Sequence, residues 1–171
     1  MKKVLKQGKF IRFVSKDGWE YIERVNCTGV VVIFALTKNN EMLLVEQHRP
    51  PVDGDVIECP AGLVGDMGIE TVTSAVKREL LEETGYEPAN VEILFSGPSS
   101  AGSSSEIITF VHASNLTKQS DGEGDENENI TVHKVPLWHV EDWMNEQRRK
   151  FRHISPRIYI GLHFLRELDR V

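Results

Sequence analysis

The sequence predicts an α/β fold in which a mixed β-sheet lies between helices. Segments rich in β-branched residues are interspersed with amphipathic helical segments, and several of the links between them are hairpin-like. The chain has 171 residues, which suits one domain with a substantial core but not two domains of ordinary size. We therefore expect one α/β domain, preceded by a small antiparallel β-hairpin.

That hairpin is predicted in residues 9–25. Its turn is Ser-Lys-Asp-Gly at residues 15–18, and its strands carry four aromatic residues. An isolated hairpin with so many apolar side chains is marginal in water. We therefore interpret residues 1–26 as a hairpin that packs on its own domain or on a second subunit, and residues 27–171 as the main domain.

The main domain is predicted to begin with β-structure. Residues 28–36 are dense in β-branched side chains, and Lys-Asn-Asn at residues 38–40 is typical of a turn. We therefore expect residues 42–48 to return as the partner strand. A short strand at residues 56–59 is expected to run into a Pro-Ala-Gly loop at residues 60–62.

A helix between Thr71 and Gly85 is specified at both ends. Thr71 can cap its start, and Gly85 can supply the left-handed residue that ends it. A stripe of apolar residues recurs every four positions and is expected to face a core: Val72, Val76 and Leu80.

The remainder of the chain is predicted to alternate between strands, loops and helices. Three strands are expected, at residues 91–95, 106–113 and 130–135. Two loops are expected, a Gly/Ser/Pro-rich one and an acidic one, at residues 96–105 and 119–129. Two amphipathic helices close the domain, at residues 140–149 and 156–168.

Three carboxylates crowd one edge of the helix that ends at Gly85. Glu79 and Glu83 are one turn apart, with Glu82 on the adjoining ridge, and like charges at such spacing repel one another weakly. A solvated helix face is one interpretation of such a run. The other is a metal site, because carboxylate oxygens on a rigid element are what Mg²⁺ or Mn²⁺ requires.

The order of the surrounding residues favours the metal site. R-E-L-L-E-E-T-G-Y at residues 78–86 follows Glu70 after seven residues, and P-A-G at residues 60–62 precedes both. This pattern closely resembles the Nudix box, G-x5-E-x7-R-E-U-x-E-E-x-G-U, where U is apolar. One departure is that seven residues rather than five separate Gly62 from Glu70, in a Gly-rich loop where insertions are tolerated. The resemblance implies a Nudix hydrolase with an α/β/α sandwich, in which Glu70 orients the box.

The resemblance extends to the branch of the family that hydrolyses ADP-ribose and other nucleoside diphosphate sugars. The matching stretches are V-E-Q-H-R-P-P, E-C-P-A-G and E-N-E-N-I, at residues 45–51, 58–62 and 126–130. Members dedicated to ADP-ribose commonly carry Ser-Pro-Gly beyond the box, where this chain has Ser-Ala-Gly at residues 100–102. The missing proline widens the implied substrate class to nucleoside diphosphate sugars, with ADP-ribose and GDP-mannose as leading members.

The Nudix resemblance also implies a set of metal ligands, with Mg²⁺ as the cofactor and Mn²⁺ as an alternative. Glu79 and Glu83 would be ligands, and Glu82 would be a further ligand or a residue that hydrogen-bonds to one. In this branch a backbone carbonyl just before the box glycine also binds metal, which here implies Ala61. Arg78 would hold a glutamate in place by a charge-assisted hydrogen bond.

Substrate-binding residues are expected outside the helix. Arg49 is a candidate for the diphosphate, since one guanidinium can bind two phosphate oxygens, and Glu58 belongs to the matching stretch beside the box. Trp19 or Tyr21 is a candidate for stacking on a nucleobase, including from the partner subunit of a homodimer. Packing within the hairpin is the alternative role for both aromatics.

The catalytic base is expected on the acidic loop. Glutamates bound to metal are poor bases, so the attacking water needs another proton acceptor. In this branch of the family that acceptor comes from a late acidic loop, and Glu126 and Glu128 match it. A solvated loop without a catalytic role is the alternative for either residue, and Glu82 or Glu106 is then the next candidate.

Composition argues against several other classes of function. A net charge of −6 argues against nucleic acid as the main partner. The chain shows no long apolar run, no signal-peptide pattern and no ligand motif around its two cysteines, so we expect a cytoplasmic protein without a membrane partner. Two alternatives stay open: a Nudix hydrolase of another substrate, such as an oxidised nucleoside triphosphate or a dinucleoside polyphosphate, and a non-catalytic nucleotide-sugar sensor.

Overall fold

The computed structural model describes residues 1–122 and 129–168, and it confirms an α/β fold with an N-terminal antiparallel hairpin. The hairpin belongs to a three-stranded sheet formed by β1 (Lys3–Gln7), β2 (Ile11–Lys16) and β3 (Trp19–Arg24). Asp17 and Gly18 make its turn at positive φ of 52° and 85°. The additional strand β1 is exposed along its whole length, so its sequence carries no two-residue alternation that predicts it.

The described residues of the main domain form two four-stranded mixed sheets. The first has the order β7-β4-β9-β8, and its strands are β4 (Gly29–Ala35), β7 (Ala61–Val64), β8 (Tyr86–Pro98) and β9 (Ile107–Lys118). The second has the order β10-β5-β6-β11, and its strands are β5 (Glu41–Arg49), β6 (Gly54–Glu58), β10 (Thr131–Pro136) and β11 (His153–Ile154). One pair in each sheet is parallel, β4 with β9 and β6 with β11, and the other pairs are antiparallel.

The predicted pairing of residues 28–36 with residues 42–48 is wrong. Both strands form, but β4 pairs with β7 and β9, whereas β5 pairs with β6 and β10. Across the expected turn, Leu36 and Met42 form an isolated antiparallel β-bridge. A strand has only two hydrogen-bonding edges, and here other strands occupy both edges of β4 and of β5.

Two further expectations need correction. The predicted Pro-Ala-Gly loop is in part strand, because Ala61 and Gly62 begin β7. The strand predicted at residues 91–95 is the middle of the much longer β8, which also takes up the start of the predicted loop at 96–105. Pro88 and Asn90 are poor strand formers, which is why the sequence pattern misses the first half of β8.

In the part of the chain that the structure describes, the α-helices agree with the prediction: α1 (Val72–Thr84), α2 (Val140–Arg149) and α3 (Arg157–Leu168). The side chain of Thr71 accepts a hydrogen bond from the amide of Ser74 at 3.1 Å, and Gly85 ends α1 at φ 75°. Both predicted caps are therefore confirmed. None of the helices in the described part of the chain is both long and apolar enough to cross a membrane.

The helices lie on opposite faces of β4, which confirms the α/β/α sandwich. On one face, Val31 and Ile33 belong to a core cluster with Val76 and Leu80 of α1. On the other face, a second cluster joins alternate residues of β4 to α2 and α3; these residues include Val32, Phe34, Met144, Ile158 and Leu162. Because β4 is buried on both sides, it reads as a continuous apolar run rather than an alternating one.

A partly buried network of polar side chains fastens the segment after α2 to the second sheet. The carboxylate of Glu46 on β5 accepts a hydrogen bond from Arg152 and lies 2.7 Å from Nε2 of His133 on β10. Burial raises the pKa of Glu46, but these hydrogen bonds outweigh it and hold that pKa below its ordinary value. The network keeps β11 and the start of α3 in place beside β6.

Candidate active site

Two of the box glutamates are held against the backbone of β7. Oε1 of Glu79 accepts a hydrogen bond from the amide of Leu63, and Oε2 of Glu83 accepts one from the amide of Ala61, each at 3.1 Å. Between them, Gly62 lies so close that a Cβ at this position would be 1.9 Å from Cδ of Glu79. Only glycine therefore lets α1 and β7 approach in this way.

Arg78 links the acids to one another. Its Nε donates to Glu70 at 3.1 Å, and one Nη lies 2.8 Å from Oε1 of Glu79 and 3.1 Å from Oε2 of Glu82. The other Nη donates to the carbonyl of Leu63 at 3.0 Å. The hydrogen bond between Arg78 and Glu70 raises the pKa of the arginine and lowers that of the glutamate. The guanidinium of Arg78 thus holds Glu70, Glu79 and Glu82 together through hydrogen bonds and ion pairs.

The loop before α1 absorbs the two extra residues of the box. Gly65 and Gly68 adopt positive φ of 80° and 126°, which lets the chain turn sharply in this segment. The amide of Gly65 then donates to Glu70 at 3.2 Å. Glu70 therefore reaches Arg78 despite the altered spacing, which agrees with the orienting role that the resemblance implies.

Burial is the main influence on Glu79. It raises the pKa of this carboxyl to about 7, against the favourable charge and hydrogen bond of Arg78. Glu82 and Asp66 add to the rise because they bring further negative charge. A buried carboxylate among other carboxylates is stabilised by a cation that binds to it.

The donors of this site fit a hard divalent ion by their chemistry. Carboxylate and carbonyl oxygens are the ligands that Mg²⁺ prefers, and the four residues named by the resemblance line one cleft: Ala61, Glu79, Glu82 and Glu83. Within residues 1–122 and 129–168, no three carboxylates, thiols or imidazoles converge closely enough to enclose an ion. The carboxylates of Glu79 and Glu83 are hydrogen-bonded to β7 amides instead.

The cleft in front of these acids has a volume of about 470 Å³. Among the described residues, four arginines line it alongside the acids: Arg24, Arg49, Arg78 and Arg157. Arg49 was expected here, and its Nε donates to Glu58 at 2.7 Å. The cleft therefore combines oxygen donors suited to a cation with guanidinium groups suited to an anion.

Other predicted site residues lie elsewhere. Trp19 and Tyr21 line a separate cleft of about 520 Å³, which also contains Gly102, and within one chain they do not join the acids. Glu126 and Glu128, the predicted bases, lie outside the described residues.

Several residues that line the acidic cleft were not predicted from the sequence, among them Phe10, Arg24 and Arg157. Arg24 ends β3 and is hydrogen-bonded to Glu106, so it brings the N-terminal sheet to the edge of the site. Isolated residues in distant segments carry no periodic or motif signal. The topology alone brings them together.

Comparisons with known proteins identify the family. Residues 26–154 match the NUDIX domain family. The chain therefore belongs to the Nudix family, and its fold is the α/β/α sandwich expected of it.

Several relatives are about one third identical to the chain over the aligned residues. The Methanol dehydrogenase activator of Bacillus methanolicus is 35% identical over 127 residues, which cover 74% of this chain and 68% of the relative. The ADP-ribose pyrophosphatase of Bacillus subtilis is 33% identical over 116 residues, covering 67% and 62%. The GDP-mannose pyrophosphatase of Yersinia enterocolitica is 33% identical over 117 residues, covering 64% and 60%. The match thus spans less than two thirds of both pyrophosphatases.

A solved structure has the same fold. The crystal structure of an ADP compounds hydrolase superposes with a TM-score of 0.70 at 21% identity, covering 98% of this chain and 91% of that one.

Proposed function

We propose that this protein hydrolyses the pyrophosphate bond of nucleoside diphosphate sugars, such as ADP-ribose or GDP-mannose, to a nucleoside monophosphate and a sugar phosphate. The observation that carries the proposal is the cleft in which the box glutamates and Arg49 face a common space. The names of the two pyrophosphatase relatives support this substrate class. This chain has Ala101 where members dedicated to ADP-ribose commonly carry a proline, so we do not restrict the proposed substrate class to ADP-ribose.

In this proposal Mg²⁺ or Mn²⁺ is held by Glu79, Glu83 and the carbonyl of Ala61, with Glu82 as a further ligand or a residue that supports one. When bound, a divalent ion neutralises the charge of a diphosphate and lowers the pKa of coordinated water. Arg78 holds the acids in place for that task through its hydrogen bonds.

The remaining steps belong to the protein's own side chains. Arg49, which Glu58 orients at 2.7 Å, binds phosphate oxygens and fixes the diphosphate across the cleft. Glu126 or Glu128 accepts the proton of the attacking water, because the helix glutamates are committed to the ion.

The proposal includes an assembly. Residues 1–26 form a dimerisation element of a cytoplasmic homodimer, and the main domain of residues 27–171 carries the site. Phe10 and Trp19, both within residues 1–26, are 64% and 65% exposed in the single chain, which is a large apolar surface to leave in water. In the dimer Trp19 or Tyr21 stacks on the nucleobase of the substrate.

One other candidate function has a specific observation behind it. The relative from Bacillus methanolicus is named for the activation of a methanol dehydrogenase and shares 35% identity with this chain. The chain is therefore a candidate activator of an alcohol dehydrogenase. Addition of the protein to a methanol dehydrogenase, with the rate of alcohol oxidation as the readout, tests this directly.

A panel of substrates with Mg²⁺ tests the proposed reaction. Nucleotide sugars should yield two monophosphates, whereas an oxidised nucleoside triphosphate would yield a monophosphate and pyrophosphate. Chromatography of the products separates these outcomes. Binding of a nucleotide sugar without any turnover would instead identify the chain as a sensor.

A further inference from the structure

Arg157 lines the acidic cleft, and the elements on either side of it fix its backbone. It is the first residue of α3, and the next residue, Ile158, is fully buried in the core. On the other side, β11 pairs in parallel with β6, and the amide of Ser155 donates to the carbonyl of Ile57 at 2.9 Å. The backbone at Arg157 is therefore held beside the end of β6, which carries Glu58.

The other arginines of the cleft already have acidic partners. Arg24 is hydrogen-bonded to Glu106, and Nε of Arg49 donates to Glu58 at 2.7 Å. The guanidinium of Arg78 donates hydrogen bonds to Glu70, to Glu82 and to the carbonyl of Leu63. In the described part of the chain, Arg157 is the cleft arginine for which no hydrogen bond or ion pair with another side chain is formed.

A guanidinium that lines a cleft and has no acidic partner can bind an anion there. A guanidinium has five N–H donors in a planar fork that matches two phosphate oxygens at once. The acids of the cleft are held by Arg78 and by β7, so they do not serve as partners of Arg157.

We infer that Arg157 is a substrate-binding residue that grips the diphosphate of the substrate together with Arg49. This inference rests on the proposed function for the identity of the substrate, but its geometry requires only an anion with paired phosphoryl oxygens. Arg157 takes no part in the bond-breaking step. Its role is to hold the diphosphate against the acidic side of the cleft.

The test compares Arg157→Gln and Arg157→Lys with the parent protein. Glutamine removes the charge and the fork, and lysine restores the charge alone. Loss of a charge-assisted hydrogen-bond pair should raise KM for a nucleotide sugar by about 10- to 100-fold in the glutamine variant, with a much smaller change in kcat. The lysine variant should lie between the two.

Arg166→Gln is the matched control on the same helix. Its side chain is bound to Glu141 at 2.6 Å and does not line the cleft, so KM should stay at the parental value. Thermal denaturation of each variant shows whether the fold is retained. If Arg157→Gln does not fold, the comparison of Arg157→Lys with the parent decides the question.

Calorimetric binding of inorganic pyrophosphate in the presence of Mg²⁺ separates this inference from the proposed function. If the parent cleaves no nucleotide sugar, the proposed function fails, but a loss of pyrophosphate affinity in Arg157→Gln still supports the anion site. Parental affinity for pyrophosphate in folded Arg157→Gln, or no binding by the parent, would overturn the inference.

Discussion

Gly62→Ala is expected to disable the site while the fold persists. The new Cβ would lie 1.9 Å from Cδ of Glu79 and 2.1 and 2.2 Å from its two oxygens, far inside van der Waals contact. The backbone at residue 62 cannot retreat easily, because β7 pairs there with Val31 of the central strand β4. The carboxylate of Glu79 must therefore leave its position.

The structure allows the loss of folding free energy and the loss of metal affinity to be estimated. Departure of the carboxylate leaves the amide of Leu63 without its acceptor, which costs about 1–3 kcal/mol of folding free energy when the amide stays buried. The departing group is also a proposed metal ligand. Mutation of a residue that only hydrogen-bonds to a metal ligand typically lowers metal affinity about 10- to 100-fold. Because Glu79 is proposed as a ligand itself, we expect metal affinity to fall by at least that factor.

The assay is the Mg²⁺ dependence of kcat/KM, measured beside a thermal denaturation curve. Gly97→Ala is the control, because a Cβ at residue 97 meets no atom within 4 Å. The control should behave as the parent does in both measurements. Parental activity and metal dependence in Gly62→Ala would refute the role given to the contact between Gly62 and Glu79.

Three further predictions concern acid stability, the catalytic base and the oligomeric state. The pKa of Glu46 is held below its ordinary value of 4.5 in the folded state, so its network contributes stability at neutral pH that is lost as the pH falls below that value. Glu46→Gln should therefore flatten the acid side of a plot of denaturation midpoint against pH. An unchanged plot would contradict this. Glu126→Gln and Glu128→Gln, measured separately, should differ: the true base should lose about 10²–10⁴ in kcat with little change in affinity for uncleaved substrate, and near-parental kcat in both would place the base elsewhere. Sedimentation at micromolar concentration should show a homodimer, and a fully active monomer would argue against the dimerisation role of residues 1–26.

The parts of the fold that depend on local chemistry could be predicted from the sequence. Helix α1 is bounded by a Thr cap and a left-handed Gly, and both features lie within a few residues of the helix ends. The box follows from the same stretch, because the spacing of Glu79 and Glu83 on a helix places them on one side. The structure then adds what spacing cannot show, namely that β7 receives both carboxylates.

Strand pairing could not be predicted in the same way. The turn at residues 38–40 suggested a hairpin, but nothing in β4 or β5 identifies β9 and β10, which lie far along the chain, as their partners. The cleft arginines illustrate the same limit. Arg24 ends a strand of the N-terminal sheet and Arg157 starts the last helix, and only the assembled topology brings them to one cleft.

The central claim is that the box glutamates hold a divalent ion that hydrolysis of a nucleoside diphosphate sugar requires. Its most direct test is release of nucleoside monophosphate from ADP-ribose and GDP-mannose with Mg²⁺, with EDTA, and with Glu83→Gln. Glutamine keeps the size of Glu83 but removes its charge, so we predict turnover with Mg²⁺ that is abolished by EDTA and falls by several orders of magnitude in the variant. Turnover that persists in EDTA, or that Glu83→Gln leaves unchanged, would contradict the claim.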